Sequence, residues 1–363
     1  MKILIAYASA GAGHRIAAEA VYDYLKVNRP ELEIELVDIL SNANPLFRLV
    51  YKKGYAFLVY RATWAWRFLF WLTEVDLLRR LSRWVVAPAN ILSCRKFIKH
   101  LIRKNPDYII TTHFLPPELA GYLKKRKKIQ SKVITIITDY GVHPFWISEG
   151  TDIYIAASGF TKARLLEHGI SASNIKECGI PFNAKFLQKL DRNELSIKLG
   201  IKADKFTVLL MTGSFGLGPL EKIAELISKQ AQVLVVCANN RRLYKRLIKK
   251  NIANVKVFGF VDNAQELMAV SDMIITKPGG STITELINME LVPVFINAIP
   301  GQEAVNIAAL KSYGIGMAPE NISEINDMVT VLRNNPQELE NLRARIRQLK
   351  KPSVCREIGD VIR

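Results

Sequence analysis

Cysteine is scarce in this sequence. Four residues in 363 (Cys94, Cys178, Cys237, Cys355) form no CxxC pair and no zinc-ligand spacing. That excludes a disulfide framework and a zinc module, and a reduced, cytosolic compartment is the simplest account. Acidic residues are few beside basic ones, 33 against 51, for a formal net charge of +18. No Asp-x-Asp closes a strand-like run, so no dedicated metal site is expected. Short-period repeats and low-complexity segments are absent. No apolar run is both long and uninterrupted: a span needs about 20 apolar residues, and the best candidate, Tyr55–Leu72, is broken by Arg61 and Arg67. An arginine near mid-membrane costs about 2.5–3.5 kcal/mol. Lying on a membrane is therefore favoured over crossing one. The apolar start, Met1-Lys-Ile-Leu-Ile-Ala-Tyr7, is too short for a signal peptide and reads as a first core strand.

What is present describes an ordered α/β protein. Apolar residues make up 49% of a length that suits two domains. Strand-like runs alternate with helical patterns almost throughout, which argues for parallel sheets. In the first half the strands are Ile3–Tyr7, Glu33–Val37, Tyr108–Thr111, Lys132–Thr138 and Ile153–Ala156. The second half restarts at Thr207–Met211, a glycine turn and a helix from about Leu220 to Lys229. Two Rossmann-like halves joined near residues 183–204 are the economical architecture, with ligands at strand C-terminal ends facing an interdomain cleft. The C-terminal stretch, Cys355 to Arg363, reads as helical and is expected to pack back onto the first domain.

The excess of positive charge is concentrated. Between Pro45 and Lys104 there are thirteen Lys and Arg, two acids (Glu74, Asp76) and four of the five tryptophans: Trp64, Trp66, Trp71 and Trp84. Rings interleaved with cations suit an anionic bilayer surface. A single-stranded nucleic-acid groove uses the same ingredients, and a core-packed hairpin with a solvated basic face is the bland alternative. Membrane contact through Trp64, Trp66, Arg67 and Trp71 is the preferred reading.

The motifs that carry chemistry stand at strand ends. Lys277-Pro-Gly279-Gly280-Ser281-Thr282 follows the apolar run Asp272–Thr276 and opens a helix. Such a turn aims backbone N–H groups and two hydroxyls at one spot, which suits a phosphate. Glu285, one turn on, is placed to hold vicinal ribose hydroxyls. Gln302, Glu303 and Asn306, after Pro300-Gly301, are spaced to grip a polyol such as a hexose. Diphosphate, ribose and sugar together spell a nucleotide-sugar. Gly213, Ser214 and Gly216 in Gly213–Gly218 offer a second nest for the diphosphate, and the backbone at Phe260 and Val261 could meet a uracil edge. In the first half, Ser9-Ala-Gly-Ala-Gly13-His14 resembles a dinucleotide turn, with Asp38 as its ribose acid, but Ile16 replaces the third glycine. The turn instead sets His14 at a helix mouth, where a lowered pKa favours the neutral form required of a general base. Asp139 and His143, in Asp139-Tyr-Gly-Val-His143-Pro-Phe-Trp146, are placed to orient His14 or to contact an acceptor.

These markers together resemble glycosyltransferase family 28, especially its monogalactosyldiacylglycerol synthases and processive diacylglycerol glucosyltransferases. They are Gly11-Ala-Gly-His14, Thr138-Asp139 with His143-Pro-Phe-Trp146, Gly179-Ile-Pro181, Gly259-Phe-Val261, Lys277-Pro-Gly-Gly280, Glu285 and Gly301-Gln-Glu303 with Asn306. The resemblance covers nearly the whole chain. It implies a GT-B fold, a UDP-glucose or UDP-galactose donor, inversion at the anomeric carbon, no cofactor and no obligatory metal. The acceptor it implies is the 3-hydroxyl of diacylglycerol, on the cytoplasmic face of the cell membrane, with peripheral attachment to an anionic surface; whether anionic lipid activates the protein or only recruits it stays open, and no nucleic-acid partner follows. Residues 1–182 would be the acceptor and membrane domain, 183–204 a linker, 205–350 the donor domain and 351–363 the returning helix. His14 and Asp139 are then catalytic, while Gly13, His143 and Trp146 bind acceptor. Ser281 and Thr282 take phosphate contacts, Glu285 the ribose, and Gln302, Glu303 and Asn306 the sugar. Ala12 replaces the middle glycine of the plant-type turn, and the Lys-Pro-Gly-Gly donor loop leans bacterial. Another lipid acceptor, a UDP-sugar 2-epimerase and a non-enzymatic binding module remain as alternatives.

Overall fold

Ile3, Leu4, Ile5 and Ala6 are all buried, so strand β1 (Lys2–Tyr7) has no solvent face. A strand covered on both sides reads as a continuous apolar run, and this is why the sequence shows no alternation there. The structure is a computed structural model. It describes residues 1–363 except 10, 55–56, 59–61, 75–85, 297, 300 and 363, and the backbone alone at 52, 69, 70, 72, 74 and 302. Trp84 and the side chain of Gln302 thus lie outside the described residues.

The chain divides into two compact units, one of residues 1–183, 299–305 and 353–363, the other of 184–298 and 306–352. The first holds a six-stranded sheet whose described pairings are parallel, in the order β2-β1-β3-β4-β5-β6. Its strands are β1, β2 (Glu33–Asp38), β3 (Tyr108–Thr111), β4 (Lys132–Ile136), β5 (Ile153–Ile155) and β6 (Ile175–Lys176). Helix α1 (Ala12–Asn28) crosses from β1 to β2, burying Ala17, Ala18, Val21 and Leu25. The order reverses between β1 and β3, which lie side by side with Ile5 opposite Ile110. Between β2 and β3 the basic aromatic insert forms α2 (Pro45–Leu49), a wide turn over Val50–Gly54, α3 (Thr63–Glu74) and α4 (Arg95–Lys104). Phe47, Tyr51 and Ile91 seat it on the core around Leu4, Ile109 and Phe97.

The second unit holds a five-stranded sheet, order β11-β10-β7-β8-β9, again with parallel pairings. The strands are β7 (Thr207–Met211), β8 (Gln232–Val236), β9 (Val255–Phe258), β10 (Met273–Thr276) and β11 (Val292–Phe295). Pro293, which cannot donate to a ladder, sits in the edge strand β11. The stretch read as a linker, 183–204, contains the short turn Ala184–Leu187 and a helix, Arg192–Leu199, within this unit. Arg192 anchors that helix by a two-pronged pair to Asp272, at 2.9 and 3.0 Å. Planar bidentate geometry of this kind fixes orientation as well as distance. The last helix, Val354–Val361, belongs to the first unit, where Gly359 lies close to Leu25 and Tyr24 of α1.

Candidate active site

In the first unit the site grows from the β1/β3 switch point, where open α/β sheets characteristically hold ligands. Helix α1 starts at Ala12 and so takes His14 into its first turn. Its N-cap, Gly11, is extended and supplies no side-chain cap, and a Cβ there would meet nothing within 4 Å. From β3's end, the Thr112 carbonyl lies 2.6 Å from His14 Nδ1, and the Thr112 hydroxyl donates to the His14 carbonyl at 2.7 Å. A carbonyl only accepts, so Nδ1 carries the proton and Nε2 keeps its lone pair. Thr138 Oγ1 lies 3.0 Å from the same Nδ1. Burial lowers the His14 pKa from its usual value, while the Asp139 charge and the Thr112 carbonyl pull it partly back. The result is a neutral imidazole with a fixed tautomer and an available acceptor nitrogen.

β4 ends at Ile136, so Thr138 and buried Asp139 lie on the loop beyond it. Trp146, in the turn Pro144–Trp146, is buried with Ile137, Tyr154 and Leu165, and its ring is 6.1 Å from that of His14. So buried, it has little surface to offer an acceptor. His143 is directed elsewhere: its Nε2 lies 3.3 Å from Thr73 Oγ1 in α3. Asp38 is committed to structure, accepting from Ser9 N and Oγ, Leu40 N and Ser41 Oγ. That leaves the dinucleotide reading of the first turn without its acid.

Sequence reasoning missed His113. It is buried, edge-on to His14 with ring centroids 4.8 Å apart, and burial together with His14 holds its pKa well below the usual value. The signal was its place at a strand's C-terminal end, but only the β1–β3 neighbourhood brings it to His14.

In the second unit, two glycine-bearing loops leave adjacent strands at the β7/β10 switch point. Gly213, Gly216 and Gly218 all have positive φ, 75°, 54° and 110°. At Gly216 the need is steric as well, because an added Cβ would collide with the Cys237 carbonyl. The Lys277 side chain lies over Gly213, with Cε 3.1 Å from where a Cβ would stand. Helix α11 (Gly280–Asn288, counting the helices after α4 as Leu115–Lys125, Gly159–Glu167, Arg192–Leu199, Leu220–Ile227, Arg241–Lys250 and Ala264–Ala269) begins without a side-chain cap. Its first N–H groups are the orphan donors of every helix start, next to half-buried Ser281 and Thr282. Burial pushes the Glu285 carboxyl up to about 7, against the opposing charge of Lys185. Lys185 also donates to the Asp262 carbonyl just after exposed Phe260 and half-buried Val261. The linker reading gave no warning of this lysine.

The trio read from sequence as sugar contacts is only partly described. The Asn306 amide, fully buried, donates to the Pro278 carbonyl at 3.0 Å and so supports the donor loop. Glu303, also buried, accepts the Ile299 N–H at 2.8 Å. The Gln302 side chain lies outside the described residues. On α3, Trp64, Arg67, Phe68 and Trp71 share one exposed face at helical spacing. Trp66 sits two residues from Trp64, some 200° around the helix, and is half-buried, off that stripe. Among the described residues no helix is long and apolar enough to cross a membrane.

Paired parallel α/β units of this kind occur in solved structures over the full chain. MurG of Acinetobacter baumannii matches with a TM-score of 0.65 at 15% identity, covering 99% of each chain. A UDP-GlcNAc 2-epimerase from Neisseria meningitidis, bound to UDP-GlcNAc, matches with 0.64 at 13%, covering 100% of this chain and 99% of the other. The fold is therefore GT-B. Sequence then separates what fold alone does not. The monogalactosyldiacylglycerol synthase family matches residues 14–182, and the glycosyltransferase family 28 C-terminal domain matches 207–351. A processive diacylglycerol beta-glucosyltransferase of Staphylococcus epidermidis is 30% identical over 376 residues, covering 99% of this chain and 93% of that protein. Its counterpart in Staphylococcus aureus is 30% identical over 374 residues with the same coverage. The chain belongs to glycosyltransferase family 28, in the branch of the diacylglycerol glycolipid synthases, and is an enzyme that transfers a sugar.

Proposed function

We propose that this enzyme moves a hexose from a UDP-sugar to the 3-hydroxyl of 1,2-diacylglycerol, with inversion and without a metal, at the cytoplasmic face of a membrane to which it binds peripherally. The observation that carries the reading is the His14 imidazole, whose Nδ1–H is tied to the Thr112 carbonyl. Its Nε2 takes the proton of the acceptor hydroxyl as that oxygen attacks the anomeric carbon. The bond from the anomeric carbon to the diphosphate breaks, and its electron pair leaves with UDP. One displacement inverts the configuration. Charge growing on the leaving diphosphate is met by the uncapped α11 N-terminus, Ser281, Thr282 and the Gly213–Gly218 turn. Glu285 takes the ribose hydroxyls, and Trp64, Phe68 and Trp71 seat the first unit on lipid. The names of the staphylococcal relatives favour glucose over galactose.

The test is to incubate the protein with UDP-glucose or UDP-galactose and anionic vesicles with or without diacylglycerol, reading UDP release and glycolipid. Release that requires diacylglycerol, yields the inverted glycolipid and survives EDTA is expected. A 2-epimerase shares the fold but needs no lipid, so UDP-sugar conversion independent of diacylglycerol would overturn the reading.

A further inference from the structure

Three imidazoles of the first unit have their nitrogen roles fixed by the backbone. His14 donates from Nδ1 to the Thr112 carbonyl. His113 is the reverse: its Nδ1 accepts the Leu115 N–H at 3.1 Å, so its proton is on Nε2, which lies 3.2 Å from the Tyr51 hydroxyl. His143 repeats that pattern. Its Nδ1 accepts the Phe145 N–H at 3.2 Å, and Nε2 lies 3.3 Å from the Thr73 hydroxyl. Both hydroxyls come from the insert, Tyr51 from the turn Val50–Gly54 and Thr73 from α3, the helix whose other face carries exposed Trp64, Phe68 and Trp71.

We infer that Tyr51 and Thr73 are positioning residues, whose hydroxyls accept the Nε2–H bonds of His113 and His143 and thereby latch the aromatic insert to the acceptor site. His113 passes the constraint on by contact. Its ring is edge-on to His14, with an interplanar angle of 78°, and is backed by Phe114 at 4.1 Å. With the Tyr51 hydroxyl present, rotation of the His113 ring breaks hydrogen bonds at both nitrogens at once. Without it, one restraint remains and the wall beside the base loosens. The Thr73 hydroxyl adds a restraint of the same kind to His143, whose ring lies 4.6 Å from that of Phe145. The kinetic consequence rests on the proposed transfer to diacylglycerol; the tautomers do not.

The test uses the full chain labelled with 15N-histidine, which contains only five histidines. Long-range 1H–15N spectra are expected to show the Nε2–H tautomer for His113 and His143 and the Nδ1–H tautomer for His14. Tyr51→Phe should shift the His113 ring signals and Thr73→Val those of His143, while Thr73→Ser, which keeps the hydroxyl, stays near wild type. On diacylglycerol vesicles, Tyr51→Phe and Thr73→Val should each lower kcat roughly tenfold, the scale of a small misplacement at a reacting centre. Donor KM, UDP affinity and vesicle binding should not change, and Thr73→Ser should retain the wild-type kcat. Unshifted imidazole signals overturn the latch whether or not the wild type makes glycolipid. An unchanged kcat, or a loss matched by lost vesicle binding, overturns its role in positioning. Wild type that makes no glycolipid overturns the functional reading instead and leaves the spectra to decide the latch.

Discussion

Under the proposed function, the two switch points solve different chemical problems with different parts of the chain. At β1/β3 the working groups of the proposed reaction are side chains, the His14 and His113 imidazoles, each with its protonated nitrogen set by a backbone partner. At β7/β10 they are mostly backbone, with positive-φ glycines and an uncapped helix start. Removing a proton needs one lone pair in one place, so it needs a locked ring. Holding a diphosphate needs many weak donors around a volume, which a glycine turn supplies without side chains to obstruct the approach. Substitutions at the first should therefore damage rate, and those at the second should damage donor binding.

The largest break in that contrast is expected from His14→Ala, with kcat lowered about 10³-fold, within the range for losing a general base; glycolipid formation under saturating donor measures it. Next comes Asn306→Ala. It leaves the buried Pro278 carbonyl without this donor, a cost of about 1–3 kcal/mol, and is expected to raise donor KM roughly tenfold with little change in kcat. Trp64→Ser with Trp71→Ser should weaken vesicle flotation several-fold without altering UDP affinity in solution, since rings at headgroup depth bury only part of their apolar surface. The mildest perturbation is acid, and the two sites should answer it separately. Glu285, held up near 7, accepts ribose hydroxyls best as a carboxylate, so UDP affinity should fall as pH drops through about 7 and stay flat in Glu285→Gln. Burial lowers the His14 pKa, so kcat under donor saturation should be lost on acidification only at a lower pH than a free imidazole would give.

Much of the fold was legible because parallel strands buried on both faces write themselves as apolar runs, as at Ile3–Ala6 and Met273–Thr276. The glycine turns and His14 were legible because their chemistry is local: turn, helix start and ring lie within a few residues. His113 was not, because its meaning depends on β3 lying beside β1, a pairing across about a hundred residues that no spacing encodes. Tyr51, Thr73 and the Thr112 carbonyl were hidden for the same reason. Lys185 was hidden by composition, since a lysine in an apparent linker looks like solvation, whereas it is half-buried. Trp66 was grouped with its neighbours by residue type, whereas helical phase turns it away from them.

The central claim is that proton removal and donor binding belong to separate sites. The most direct measurement is UDP titration by calorimetry on His14→Ala, alongside glycolipid synthesis by the same preparation. The account predicts a UDP Kd within about twofold of wild type, since twofold is only about 0.4 kcal/mol, with synthesis lowered about 10³-fold. Lost UDP affinity in that variant, or retained synthesis, would contradict it.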